Sequence, residues 1–235
     1  MNSRVALITG VGSGLGASLA RRFARGGFSV ALVARSDGFI SELAREIVGA
    51  GGTAIGVVAD VSRPNEVKSA VARVRAELGP INVMIHNASA SSGNGLLGTT
   101  PEQFEQAWRI AALGGFACAQ ETAPDMLGVG EGVMLFTGAT SSVRGGGWLG
   151  FSSAKFALRG LVQSLARELW PQGIHVAHVI VDGIIGEPAG GSASDEDPLL
   201  DPDQIAEAYW HLANQERSAW TLELDVRPNR EQFFI

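Results

Sequence analysis

Alternation constrains this chain more than any other feature. Short apolar, β-branched runs recur at residues 5–8, 30–33, 54–58, 83–85, 133–136, 176–181 and 222–226. Between most of them lie stretches with helical spacing, at 14–26, 36–50, 64–78, 101–126 and 151–170. A strand that is apolar on both faces needs cover on both faces, and intervening helices supply it. The pattern predicts an α/β fold, a doubly wound parallel sheet of about seven strands with helices on both faces. Crossovers of a single hand then leave ligands at the carboxyl ends of the strands.

The 235 residues fit one domain spanning 1–235, large enough to bury a full core without staples. The joints carry punctuation. Asp60-Val61-Ser62-Arg63-Pro64 closes a strand, offers Ser62 as an N-cap and places Pro64 in a first turn, while Gly79-Pro80 ends a helix. Residues 186–201 differ, with Gly186, Gly190, Gly191 and the acidic run Asp195-Glu196-Asp197. A loop of that length inside a domain is usually functional or disordered, and here it is expected to cover a substrate.

Charge and cysteine usage narrow the partners. A net charge of −6 argues against nucleic acid or an anionic membrane, both of which reward basic patches. Cys118 is the only cysteine, so no internal disulfide or multi-cysteine metal site can form. His86, His175, His178 and His211 show no metal-ligand spacing, and no metal is expected. No apolar run approaches a membrane span or a leader core, so a cytoplasmic location is expected.

The first strand runs into Thr9-Gly10-Val11-Gly12-Ser13-Gly14-Leu15-Gly16, which opens a helix. Glycine permits positive φ, lets backbone approach a pyrophosphate and allows close helix–strand contact. The helix N-terminus adds N–H donors and about half a positive charge. Leu15 stands where the last glycine of the general G-x-G-x-x-G fingerprint would fall, so the spacing is T-G-x-x-x-G-x-G.

With the motifs downstream of it, that turn resembles the short-chain dehydrogenase/reductase family over nearly the whole chain. The resemblance implies a Rossmann fold, a nicotinamide cofactor and a small-molecule substrate. Asp60-Val61 stands where the family places a carboxylate on the adenine ring, and His86-Asn87-Ala88-Ser89 is similar to its N-N-A-G. Lys155 opens a stretch that continues through Ser164–Leu169 to Gly173-Ile174-His175-Val176, close to the family pattern. Asp182-Gly183 replaces the usual Pro-Gly, with Ile185 just beyond. By this resemblance the cofactor would touch Gly10, Gly12, Ser13, Gly14, Leu15, Gly16, Arg35, Asp60, Val61, Asn87, Ala88, Lys155, Gly183 and Ile185.

NAD-preferring members carry an acidic residue at the end of the second strand, where it holds the ribose 2′-OH. Here that place is Ala34, followed by Arg35, whose guanidinium can pair a 2′-phosphate in bidentate fashion. NADP(H) is therefore the expected cofactor and NAD(H) the second candidate, although Ser13 stands where many NADP-preferring members have a basic residue.

The catalytic set departs from the family. Its Y-x-x-x-K lets a lysine lower the phenol pKa from about 10, so that tyrosine exchanges a proton with the substrate oxygen. Four residues before Lys155 stands Phe151, the wider spacing of enoyl reductases falls on Trp148, and the only tyrosine is Tyr209 in the C-terminal helical stretch. The family's polarising serine aligns with Ala139, or with Gly138 by fixed spacing from Phe151, while a one-residue slip brings Thr140 or Ser141 into the role. Its helix asparagine aligns with Ala111. Lys155 keeps only the ribose-binding half of the family lysine's work.

Two functions fit these residues. One is an NADP(H)-dependent oxidoreductase acting on a small carbonyl or alcohol with an atypical proton donor. The other is a catalytically inactive NADP(H)-binding homologue serving as a sensor or oligomer partner. The helices from 101 and 151 pair subunits in related proteins, and their apolar residues Phe104, Trp108, Leu158, Leu161 and Leu165 imply a homodimer or homotetramer by resemblance.

Overall fold

In the computed structural model, which describes residues 4–91, 93–186 and 199–229, the seven apolar runs all become strands of one sheet. These are β1 (Val5–Thr9), β2 (Ser29–Ala34), β3 (Thr53–Val58), β4 (Ile81–His86), β5 (Gly132–Thr137), β6 (Ile174–Val181) and β7 (Glu223–Val226). They lie in the order β3-β2-β1-β4-β5-β6-β7, and every neighbouring pair is parallel. The chain walks outward from β1 to β3, returns to β4 beside β1, and then walks the other way. The crevice between the ends of β1 and β4 is therefore the switch point where open α/β sheets bind ligands.

The helices are α1 (Leu15–Arg25), α2 (Asp37–Gly49), α3 (Pro64–Leu78), α4 (Pro101–Trp108), α5 (Gly114–Leu127), α6 (Leu149–Leu169) and α7 (Pro202–Ala213). All five residues of β1 are buried, and its side chains divide by the strand period of two. Ala6 and Ile8 pack with Leu19, Phe23, Ile40 and Tyr209 from α1, α2 and α7. Val5 and Leu7 pack with Val71, Val74, Cys118 and Val162 from α3, α5 and α6. Burial on both faces is why the strands read as continuous apolar runs.

Two joints differ from the expectation. Ser62 does not cap α3, because Arg63 occupies that position without a side-chain cap. The Ser62 N–H instead donates to Asp60 Oδ1 at 2.9 Å, and Glu66 reaches back to accept the Asp60 N–H at 2.8 Å. With Pro64 at the first helical position, one N–H that a cap would serve is missing. The stretch 101–126 is interrupted: a π-helical turn at Arg109–Leu113 joins α4 to α5, with Ala111 at its middle. The Thr100 hydroxyl and the Gln103 amide cap α4 reciprocally.

The proposed covering loop begins and ends at a clasp. Ile185 bridges Leu200, the Gly186 N–H donates to Leu200 O at 2.9 Å, and the Leu200 N–H donates to Ile184 O at 2.8 Å. Residues 187–198, on which the covering role would fall, lie outside the described residues. Among the described residues no helix is long and apolar enough to cross a membrane, and no group of His, Cys, Asp and Glu is arranged to hold a metal ion.

Candidate cofactor cleft and active site

The turn after β1 is shaped by its glycines. Gly10 has φ +71°, and a Cβ there would lie 2.5 Å from the Ala88 backbone nitrogen. A Cβ on Gly16 would lie 2.7 Å from Val11 Cα. These two positions hold the turn against β4 and close the helix onto it. At Gly12 and Gly14 a Cβ would meet nothing within 4 Å, so the open side of the turn faces free space. No side chain caps α1 at Gly14. A bare helix start beside an open glycine cradle fits the pyrophosphate of a dinucleotide.

Two adjoining cavities flank this turn and share Gly10, Gly12, Asn87 and Ser89. The first, about 360 Å³, is walled by Val33, Ala34, Arg35, Asp60, Val61, Ala88 and Ile110. The second, about 530 Å³, is walled by Ser13, Gly14, Leu15, Gly16, Thr137, Gly138, Ala139, Phe151, Lys155, Val181, Gly183, Ile185 and Gly186. Every residue that the sequence assigned to the cofactor lines one cavity or the other. In the first, burial raises the Asp60 carboxyl, but hydrogen bonds from Ser62 and the nearby Arg63 and Arg35 outweigh it and hold it below its ordinary value. Arg35 is exposed on the same wall.

At the second cavity Lys155 is 2% exposed, and its Nζ donates to Thr137 O at 2.7 Å. The same Nζ lies 5.4 Å from the centre of the Phe151 ring. Burial lowers the ammonium pKa to about 8. Lys155 is the only ionisable side chain among the described residues lining this cavity. Phe151 stands edge-on to Trp148, with ring centres 6.2 Å apart.

The hydroxyls of Thr140, Ser141 and Ser152 bond within the protein. Thr140 donates to the buried carboxylate of Asp182, which also pairs with Arg227 at 2.8 Å and Arg144 at 3.3 Å. Ser152 donates to Ser141 at 3.3 Å, and both are buried. Neither Thr140 nor Ser141 lines the two cavities, whereas Ala139 does. Gly138 packs against an imidazole, and a side chain there would collide with His178 Nε2. Ala111 is buried in the π-helical turn.

His86 explains how that turn is held. Its Nε2 lies 3.2 Å from Ile110 O and its Nδ1 lies 3.0 Å from Thr9 Oγ1. Burial, with the nearby Lys155 charge, lowers its pKa to about 4 against the raising effect of the turn carbonyls, so the ring is neutral at pH 7. A carbonyl can only accept, so Nε2 carries the proton and Thr9 donates to Nδ1. One imidazole thereby ties the ends of β1 and β4 to the π-helical turn.

Sequence reasoning missed two participants. Thr137, the last residue of β5, uses its carbonyl for Lys155 and donates its hydroxyl to Asn87 Oδ1 at 3.0 Å. Tyr209, from α7 on the opposite face, reaches that same hydroxyl at 2.7 Å. Nothing in the spacing of either residue signals the contact, because it joins positions 72 residues apart.

Comparison with known proteins bears on the family and the fold. The short chain dehydrogenase family model matches residues 4–195. A short-chain dehydrogenase/reductase of Armillaria gallica is 36% identical over 179 residues, covering 74% of this chain and 68% of its own. The crystal structure of a short-chain dehydrogenase from Rhodopseudomonas palustris superimposes with TM-score 0.85 at 38% identity, covering 96% and 98% of the two chains. An alcohol dehydrogenase from the archaeon Thermococcus sibiricus, solved with 5-hydroxy-NADP, gives TM-score 0.88 at 26% identity over 97% and 98%.

Proposed function

The chain belongs to the short chain dehydrogenase family, and on that premise we propose that it is an NADP(H)-preferring oxidoreductase of a small carbonyl or alcohol, working without a tyrosine acid. One observation carries the reading: Lys155 is buried on the wall of the cavity that the glycine turn opens, bonded to Thr137 O and backed by the Phe151 ring. Burying an ammonium is costly, and a polar ligand such as a pair of ribose hydroxyls would repay it there. The 5-hydroxy-NADP bound to the Thermococcus sibiricus relative supports the cofactor class.

Bound NADP(H) would supply the hydride. The chain's own residues bind and orient it. The open faces of Gly12 and Gly14 accept the pyrophosphate, Arg35 pairs the 2′-phosphate, Asp60 faces the adenine end, and Asn87 with Lys155 holds the nicotinamide end. Proximity alone can contribute roughly 7–11 kcal/mol, whereas a lost general acid costs on the order of 10²–10⁴-fold. With Thr140, Ser152 and Thr137 each donating to a protein acceptor, the substrate oxygen takes its proton from the Lys155 ammonium or from water in the cavity.

A second reading, a cofactor-binding protein without turnover, is favoured by Gly138, Ala139, Phe151 and Ala111 together, which leave no hydroxyl at the family's catalytic positions. Under either reading the chain acts as a homodimer or homotetramer. Phe104, Trp108, Phe116 and Phe156 are exposed on α4, α5 and α6, whereas Leu158 is spent in the core.

A thermal-shift titration with NADPH and NADH, followed by a panel of aldehydes, ketones and alcohols read at the nicotinamide absorbance, tests the proposal. Ligand at about 100 times its Kd stabilises the fold by roughly 2.7 kcal/mol, and the larger shift is expected with NADPH. No shift with either nucleotide would overturn both readings. A shift with no turnover would leave the second.

A further inference from the structure

The lone tyrosine belongs to the cleft after all, from behind. Tyr209 is completely buried in α7, yet its hydroxyl lies 2.7 Å from Thr137 Oγ1. Thr137 Oγ1 donates to Asn87 Oδ1 at 3.0 Å, and Asn87 Nδ2 donates to Gly10 O at 3.0 Å. Since the threonine proton is committed to Asn87, Tyr209 is the donor to Thr137. The hydrogen bonds run in one direction, from α7 through the tips of β5 and β4 to the first glycine of the phosphate turn. The same Thr137 also presents the carbonyl that holds Lys155, so both of its polar groups face the cleft's machinery.

The rest of α7 is docked against the far end of α1, the helix that the turn opens. Trp210 fills the space above Gly26 at the end of α1, the Arg22 guanidinium lies 4.0 Å over its ring, and Arg22 pairs with Glu207 at 2.6 Å. α7 thus grips α1 by side chains and the β4–β5 tips by a single hydroxyl. We infer that Tyr209 is a positioning residue for the dinucleotide cleft, fixing the Thr137 hydroxyl and through it the Asn87 amide. It is not a displaced proton donor. Burial drives its phenol pKa up, against the smaller effect of Thr137, and it does not line the cavity. Loss of the hydroxyl frees Thr137 to rotate, and Asn87 then loses the partner that aims its amide at Gly10 O.

This inference rests on the reading of the cleft as a nucleotide site. It is tested on the full chain by the Kd for NADPH, from nicotinamide fluorescence, beside unfolding in urea. Y209F keeps the ring and removes one buried hydrogen bond, and is expected to weaken NADPH about fivefold. T137V should weaken it similarly, and the double variant no more than either single one, because both cut the same chain of bonds. I205V, a core truncation in the same helix, controls for stability and should leave the Kd unchanged. Wild-type affinity in Y209F, additive losses in the double variant, or an equal loss in I205V would overturn the inference while leaving the nucleotide site standing. Failure of the unaltered protein to bind either nucleotide would overturn both.

Discussion

The two ends of the cleft are built from different materials. The phosphate end is backbone: a turn whose glycines touch Ala88 and Val11, and an uncapped helix start. The catalytic end is side chain on side chain, with Lys155, Thr137, Asn87 and Tyr209 in one set of bonds and Thr140, Asp182, Arg144 and Arg227 in another. A backbone site tolerates almost no substitution, so it stays in its family form. A side-chain site can exchange members whenever another residue takes over the packing and the hydrogen bonds. That difference accounts for a chain that keeps the family's glycine turn while lacking the tyrosine and serine usual in the family's catalytic set.

The comparison is broken most severely at Gly10. Gly10→Ala meets both a positive φ and the Ala88 backbone, and is expected to cost about 3 kcal/mol or more and to abolish nucleotide binding. Urea unfolding with and without NADPH measures both, and retention of either would mean that the turn is less rigid than a backbone site should be.

Next is Lys155. Its pKa is near 8 in the fold against an ordinary 10.5, so between those values the unfolded chain binds a proton that the folded chain does not. Stability should therefore rise as pH increases from about 8 to about 10.5, by on the order of 3 kcal/mol from this group. K155M should remove that rise and weaken NADPH about tenfold or more. A wild-type slope in K155M would assign the pH dependence to another group.

Arg35→Ala sharpens the adenine end. It should weaken NADPH about tenfold and NADH less than twofold, since only the 2′-phosphate loses a charge-assisted partner. Equal losses would sink the 2′-phosphate assignment. The smallest effect is expected from Phe151→Tyr. NADPH affinity should stay within about twofold, and carbonyl turnover should gain no more than about tenfold, because Gly138 and Ala139 still offer no polarising hydroxyl. Recovery of a thousandfold would show that Phe151 alone silences the site.

The same division governs what could be read in advance. The seven strands and the cradle were legible because they follow local rules, a period of two and a glycine spacing. The pairs Tyr209–Thr137, His86–Ile110 and Asp182–Thr140 were not, because each joins residues 24 to 72 positions apart that meet only after the sheet has formed. Ser62 shows the local limit. It is a good capping residue one position too early, and the reach of Glu66 rather than residue preference decides that corner. The π-helical turn is equally silent in Arg109–Leu113, since its widened carbonyl is held by an imidazole from another strand.

His178 behind Gly138 also bears on any rebuilding of this site. A Cβ at 138 would lie 2.4 Å from His178 Nε2, so a serine there requires the ring to move. Of the two alignments for the family's serine, 138 is thus coupled to residue 178, whereas Ala139 already lines the cavity. Directed evolution toward ordinary dehydrogenase chemistry should accordingly begin with libraries that vary 138 and 178 as a pair, beside 139 on its own.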